Sequence, residues 1–169
     1  MLHGLLAAVL VGLASAAPAA EVGASARDIE RQFRGGEQRL ALQQLDQALV
    51  ERPADPGLRF LRAVLLTETG RSAEAVPVLE RMTEDFPDLP EPYNNLAVLQ
   101  AANGQLDRAR SLLETALRLD PAYRTAHENL GDVFVRLALR AYEAAVVGGR
   151  TEPALQTKLR LVRELATAR

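Results

Sequence analysis

The chain has 169 residues, a formal net charge of −2 and neither cysteine nor tryptophan. Its length fits one domain of ordinary size, and hydrophobic residues make up 48% of it, which is typical of a globular protein. The absence of cysteine excludes disulfide bonds, thiolate zinc sites and a cysteine nucleophile. The nearly balanced charge lacks the basic surplus of general nucleic-acid binders, so we expect no nucleic-acid partner.

The first 20 residues predict a secretory signal peptide. No Asp, Glu, Lys or Arg occurs between Leu2 and Ala20, and residues 5–13 are an unbroken run of Leu, Val, Ala and Gly. Residues 14–16 fit the small-x-small cleavage pattern, so we expect cleavage near Ala16 and export to the periplasm, without membrane insertion of the mature chain. The alternative is anchoring by an uncleaved segment, although the apolar run is about half of the roughly 20 residues that a spanning helix needs.

The rest of the chain, expected to be a single domain over residues 21–169, follows a 34-residue period. Each unit repeats a glycine, then two small or apolar positions on either side of a leucine, then a proline. These positions are Gly36, Gly70 and Gly104; Ala41, Ala75 and Ala109; Leu45, Leu79 and Leu113; Ala48, Met82 and Ala116; and Pro53, Pro87 and Pro121. We interpret each unit as a helix, a glycine turn, a second helix and a proline that ends it.

The two helices of each unit are predicted to pack closely. The Ala and Leu positions of the second helix lie four and three residues apart, which places them on one face. The first helix has small residues of its own at a matching position, Ala63, Ala97 and Gly131. The units are predicted at about residues 22–55, 56–89 and 90–123, with a loose first helix over 24–34 because terminal repeats are often atypical.

The fourth unit, at about residues 124–147, is degenerate. No Gly or Pro occurs from Asp132 to Val147, which predicts one continuous helix from about Arg124 to Val147. Two glycines end it, and Thr151 is expected to cap a final helix at about residues 152–167, with Pro153 in its first turn. The apolar stripe of that helix is predicted to seal the end of the stack, and it consists of Leu155, Leu159, Val162 and Ala166.

At these positions the chain resembles the tetratricopeptide repeat family, over roughly residues 22–135. The third unit shows the family pattern at Tyr93, Leu96, Ala97, Gly104, Ala109, Leu113, Ala116 and Pro121. The resemblance implies an all-α fold of helix-turn-helix repeats in a short right-handed solenoid, with a long fused fourth-repeat helix and a C-terminal capping helix. It also implies a concave groove that binds a peptide segment or protein partner. Together with the predicted signal peptide, the chain is similar to a small exported bacterial-type member of the family, and in the absence of catalytic motifs we expect no catalysis and no cofactor.

In the resembling family, the groove is lined by first-helix residues just after the helix start and one and two turns further on. The corresponding residues are Phe60, Val64, Asn94, Asn95, Val98, Glu128, Asn129 and Asp132. Asn side chains both donate and accept, so a row of them can bond the backbone of an extended peptide, while Phe60 and Val64 offer an apolar patch. The alternative is that Asn95 and Asn129 only stabilise neighbouring helices through side-chain to backbone bonds. The paired Lys and Asn pattern with which some members hold a C-terminal carboxylate is absent.

Other candidates for chemistry are few. His127 occupies the position of Tyr93 one unit later, which favours packing between helices over ligation or catalysis. Residues 84–92 hold four carboxylates but lack the alternating ligands and central glycine of a calcium loop, which favours a solvated turn. We therefore expect no metal and no catalytic residue. The main alternative function is a self-assembling scaffold subunit with weak self-association, and the least favoured is a hydrolase or metal-binding protein using the acidic segment.

Overall fold

A computed structural model describes residues 24–146 and 152–167. Within these residues the chain forms eight helices and no strand. The helices are α1 (Ala26–Arg34), α2 (Gln38–Glu51), α3 (Pro56–Glu68), α4 (Ser72–Asp85), α5 (Pro90–Ala102), α6 (Leu106–Leu119), α7 (Arg124–Val146) and α8 (Pro153–Thr167). The predicted signal peptide with its cleavage near Ala16, and the proposed cap Thr151, lie outside the described residues. None of the helices described is both long and apolar enough to cross a membrane.

The 34-residue period of the sequence is also the period of the structure. The helices α2, α4 and α6 have 14 residues each and begin 34 residues apart, and each faces the first helix of its own pair. The glycines of the three turns have positive φ angles, 95° at Gly36, 77° at Gly70 and 79° at Gly104. In each turn the N–H after the glycine bonds the carbonyl five residues earlier, at 2.8–3.2 Å. The three glycines therefore occupy equivalent helix-ending bends, which residues with a side chain adopt only with strain.

Proline positions explain where the helices begin and end. α2, α4 and α6 each end two residues before a proline, at Glu51, Asp85 and Leu119. Pro56 and Pro90 are the first residues of α3 and α5, where the missing N–H costs no helical hydrogen bond. The carboxylate of Asp55 also caps α3 by accepting from the N–H of Leu58 at 3.0 Å.

The core follows the repeated apolar positions. The three repeated sets on the second helices are all buried. They are the two sets of small or apolar residues and the leucines between them. Ala63 and Ala97 of the first helices are buried against them, as predicted, so the helices of the second and third pairs approach closely. Because each pair contacts chiefly its neighbours along the chain, the core is divided into three clusters that follow one another through the stack.

The helix α1 is more firmly packed than the sequence predicts. The side chains of Ile29 and Phe33, four residues apart, are buried in one cluster with residues of α2 and α3. The hydroxyl of Ser25 caps the helix by accepting from the N–H of Asp28 at 3.3 Å. The prediction of a loose first helix is therefore wrong, because an isoleucine at the small-residue position still fills the contact with α2.

The continuous helix α7 is confirmed, and it changes the packing of the fourth unit. Gly131 is exposed, and a Cβ added to it would meet nothing within 4 Å, so the predicted close contact at Gly131 is wrong. Phe134 on the same helix is exposed too. The physical reason is that an uninterrupted α7 carries the chain past the turn that would fold a second helix back onto this face.

The capping helix α8 packs along α7. Leu159 of the predicted stripe is buried, and Leu155, Val162 and Ala166 are half-buried. Two further leucines of α8 stay exposed, Leu161 at 47% and Leu165 at 60%. α8 thus covers one side of α7 and leaves the side that carries Gly131 and Phe134 exposed.

An ion pair ties α6 to the C-terminal half of α7. Nη2 of Arg140 donates to Oδ2 of Asp107 at 2.9 Å, and this bond, with the charge of Arg140, lowers the pKa of Asp107. We expect Arg140→Gln to return the pKa of Asp107 toward that of an ordinary aspartate, measured by NMR titration of the carboxyl carbons. Because the pKa of Asp107 is lower in the folded than in the unfolded protein, the ion pair stabilises the fold at pH values above the unfolded pKa. This stabilisation is lost as the pH falls through the folded pKa. Arg118→Gln is the control, and an equal shift in both variants would contradict the assignment.

Candidate functional site

Three asparagine side chains form a hydrogen-bonded row between α5 and α7. Nδ2 of Asn129 donates to Oδ1 of Asn94 at 2.8 Å, and Nδ2 of Asn94 donates to Oδ1 of Asn95 at 3.1 Å. Asn94 is only 3% exposed, whereas Asn95 and Asn129 are half-buried. The row therefore joins two neighbouring repeats through a buried amide in the middle and reaches the surface at its two ends.

This arrangement differs from both sequence interpretations. Asn94 lies in the interior and not on the groove surface, because its amide bridges the other two asparagines. The bonds of Asn95 and Asn129 run between side chains, where the alternative had predicted side-chain to backbone bonds. Within the described residues, Nδ2 of Asn95 and Oδ1 of Asn129 take part in no hydrogen bond. One donor group and one acceptor are thus left at the two ends of the row.

A cavity of about 320 Å³ lies beside the row. It brings together three of the predicted groove residues, Val98 on α5 with Asn129 and Asp132 on α7. Alanines of α5 supply much of the remaining apolar wall, and Leu165 and Ala166 from the end of α8 also line the cavity. The two α8 residues were not predicted as site residues. Ala166 belongs to the predicted stripe, but the stripe does not reveal which surface it meets.

The other predicted groove residues lie elsewhere. Phe60 and Val64 line a separate cavity of about 180 Å³ beside α1, together with Arg27 and Glu30. Glu128 is exposed on α7 and lines neither cavity. The structure thus places the apolar patch of the second unit apart from the polar row of the third and fourth units.

A third cavity, of about 460 Å³, lies between α2, α3 and α4 and was not predicted. Arg59, Arg62 and Arg81 line it together with apolar side chains. Each arginine already faces a carboxylate: Arg59 and Arg81 approach Asp85 at 2.7 and 3.6 Å, and Arg62 approaches Asp46 at 3.5 Å. The positive charge of this surface is therefore largely compensated within the chain.

Asp85 of the acidic segment and His127 each contact a neighbouring part of the chain. Asp85 is held by the two arginines just named, and no group of three or more His, Asp or Glu side chains in the described residues could hold a metal ion. His127 is exposed rather than packed between helices, and its Nε2 lies 3.0 Å from the carbonyl oxygen of Pro121. The hydroxyl of Tyr93 donates to the carbonyl oxygen of Pro87 at 3.3 Å. Pro87 lies 34 residues before Pro121, at the same position of the preceding repeat. His127 thus repeats the contact of Tyr93 with the turn between repeats.

The sequence model of the family described as "Tetratricopeptide repeat" matches residues 36–99 and, one repeat later, residues 70–130. The two matches together span more than half of the chain. The chain belongs to the tetratricopeptide repeat family. Members of this family are typically non-catalytic interaction modules, and the tetratricopeptide repeat (TPR) fold of this chain indicates a role in protein–protein interaction.

Two curated relatives come from Arabidopsis thaliana. Over 68 residues the chain is 35% identical to the TPR repeat-containing thioredoxin TTL4. This match covers 40% of this chain and 10% of TTL4. Over 134 residues it is 28% identical to the tetratricopeptide repeat domain-containing protein PYG7, chloroplastic. This match covers 75% of this chain and 40% of PYG7. The chain therefore matches two fifths or less of the length of these relatives.

Solved structures show the same TPR fold. The first TPR of Spaghetti (RPAP3), bound to the HSP90 peptide SRMEEVD, aligns with a TM-score of 0.61 and 20% identity, over 66% of this chain and 89% of that one. MamA 41-end from Desulfovibrio magneticus RS-1 aligns with a TM-score of 0.59 and 20% identity, over 85% of this chain and 76% of that one. The architecture is thus a short right-handed TPR solenoid with a long fused fourth-repeat helix and a capping helix.

Proposed function

We propose that this TPR protein binds an extended segment of a protein partner in the groove between α5 and α7, and that it has no catalytic activity of its own. The observation that carries the proposal is the asparagine row. Asn95 keeps its amide donors and Asn129 its carbonyl acceptor at the half-buried ends of the row. An extended backbone presents one acceptor and one donor per residue, so it can bond both ends.

The neighbouring cavity supports the same function. Its volume of about 320 Å³ lies at the lower end of the 300–1,000 Å³ typical of ligand pockets, which suits a single side chain of the bound segment. Val98 provides exposed apolar surface at its wall. Among the structural relatives, the first TPR of Spaghetti (RPAP3) is bound to a peptide. Phe60 and Val64 would add a second, apolar contact further along the solenoid.

Site-specific crosslinking tests this proposal and captures the partner in the same experiment. We expect p-benzoylphenylalanine at position 98 to give discrete crosslinked products in the native host, identifiable by mass spectrometry. Adding Asn95→Ala and Asn129→Ala should reduce their yield about tenfold, because two hydrogen bonds of about 0.5–1.5 kcal/mol each are lost. The same photoreactive group at position 50, on the exposed side of α2, is the matched control.

Two outcomes of this experiment would contradict the proposal. Products from position 50 but not from position 98 would place the interaction on the second-helix side. Products that consist of two copies of this chain would favour the alternative function, a self-assembling scaffold subunit. That alternative also predicts sedimentation that depends on concentration, whereas a groove-binding protein sediments as a monomer without its partner.

We further propose that residues 21–169 act as one domain after export to the periplasm. Support comes from the uncharged apolar run of residues 5–13 and from the small residues that end at Ala16. The N-terminal residue of the protein purified from its native host distinguishes cleavage near Ala16 from an uncleaved anchor.

A further inference from the structure

The end of α8 forms one wall of the cavity in the groove. Leu165 and Ala166 line it together with Val98 and Ala101 of α5. Leu165 is 60% exposed, so most of its apolar surface faces solvent beside the opening. The helix that caps the solenoid therefore also shapes the surface on which we propose that a partner binds.

The charged side chains near this cavity are unevenly placed. Glu128 and Asp132 lie one turn apart on α7, both are exposed, and neither forms an ion pair with another described residue. Arg136, a further turn along, lines the cavity and is half-buried, so its alkyl chain contributes to the wall. Asp132 lines the cavity with Arg136, and Glu128 lies just outside it, one turn before Asp132. Because the two carboxylates are exposed whereas Arg136 is half-buried, the exposed charge beside the cavity is mainly negative, which favours a cation there.

We propose that this cavity binds a branched or aromatic side chain of a partner segment that carries a basic residue next to it, with α8 as the outer wall of the site. The inference rests on the proposed function and specifies the chemistry of the bound segment. The apolar side chain contacts Val98 and Leu165, and the basic residue lies against Asp132 and Glu128. An acidic neighbour would instead face both carboxylates and bind more weakly.

Two synthetic peptides that differ only in charge test the preference. The probes are acetyl-Gly-Lys-Trp-Lys-Gly-amide and acetyl-Gly-Glu-Trp-Glu-Gly-amide. Because the chain contains no tryptophan, the fluorescence of the indole reports on the peptide alone. We expect the emission of the Lys peptide to shift to shorter wavelength on titration. The Glu peptide should bind about fivefold more weakly, because its side chains face the carboxylates of Glu128 and Asp132 instead of pairing with them.

Two leucines of α8 give a matched pair of variants. Leu165→Ser should weaken binding of the Lys peptide about fivefold, because part of the apolar surface that contacts the indole is lost. Leu161→Ser removes a leucine of similar exposure, 47%, from the same helix outside the cavity, and should leave the affinity unchanged. Helicity measured by circular dichroism shows whether both variants keep α8.

Charge variants complete the test. Glu128→Gln together with Asp132→Asn should weaken binding of the Lys peptide and strengthen binding of the Glu peptide. Equal binding of the two peptides, equal effects of the two leucine variants, or no binding of either peptide would overturn the inference. If crosslinking at position 98 still depends on Asn95 and Asn129 in that event, the proposed groove function stands and only this assignment of the cavity fails.

Discussion

Replacing Leu113 by alanine should lower the free energy of unfolding by about 2–5 kcal/mol, the usual range for deleting a buried leucine side chain. Leu113 is 1% exposed and packs in one cluster with Ala97, Ala109 and Val133, at the junction of α5, α6 and α7. It also lines the cavity of the groove. The space left by the missing side chain therefore joins an existing void, and the surrounding helices gain little by relaxing into it.

Leu119 provides the control for this prediction. It lies on the same helix at 37% exposure, so Leu119→Ala should cost less than about 1 kcal/mol. Urea denaturation followed by far-ultraviolet circular dichroism measures both variants. Equal destabilisation by the two substitutions would contradict the burial of Leu113 at the junction of the repeats.

Replacing Asn94 by alanine should lower the free energy of unfolding by about 1–3 kcal/mol, a large cost for a polar side chain. The substitution removes the partner of the Nδ2 donor of Asn129 and the donor to Oδ1 of Asn95, both in a half-buried environment. Groups left without a partner there are only partly hydrated, so their lost bonds are not fully replaced by water. The measurement is again urea denaturation.

A double-mutant cycle separates the hydrogen bond from the lost packing. Asn94→Ala and Asn129→Ala should be coupled by about 0.5–1.5 kcal/mol, because each single substitution breaks the same bond between α5 and α7. Gln47→Ala, which removes an exposed amide on α2, should change stability by less than about 0.5 kcal/mol. Strict additivity of the two asparagine substitutions would show that the row does not couple the repeats.

The repetitive part of the fold could be predicted from the sequence because several constraints recur in one register. Gly70 and Gly104 mark turns that only a residue without a Cβ adopts easily, and Pro87 and Pro121 follow the helix ends at a fixed distance. The absence of Gly and Pro after Asp132 likewise predicted the continuous α7, which the structure confirms. Each of these signals acts locally, within one turn of the residue that carries it.

The candidate site could be predicted only in part because it depends on contacts between distant segments. The interior position of Asn94 follows from its meeting with Asn129, 35 residues later in the chain, and nothing near Asn94 indicates burial of an amide. Gly131 fits the register of the small residues, but a small side chain indicates close packing only where a second helix is present. Leu165 lies beside the predicted stripe of α8, and an apolar stripe does not specify the surface that it meets.

The weak attachment of α8 has a consequence for how the protein responds to heat. Leu159 is the one buried side chain among the described residues of this helix, and α8 packs chiefly against α7. In a repeat protein each element is held by its neighbours, so a terminal helix with so little buried surface detaches at a lower free energy than the whole array unfolds. Backbone amides of α8 should exchange with deuterium sooner than those of α5 and α6. Ligand affinity at the α8 wall would then decline on warming while the remainder of the array is still intact.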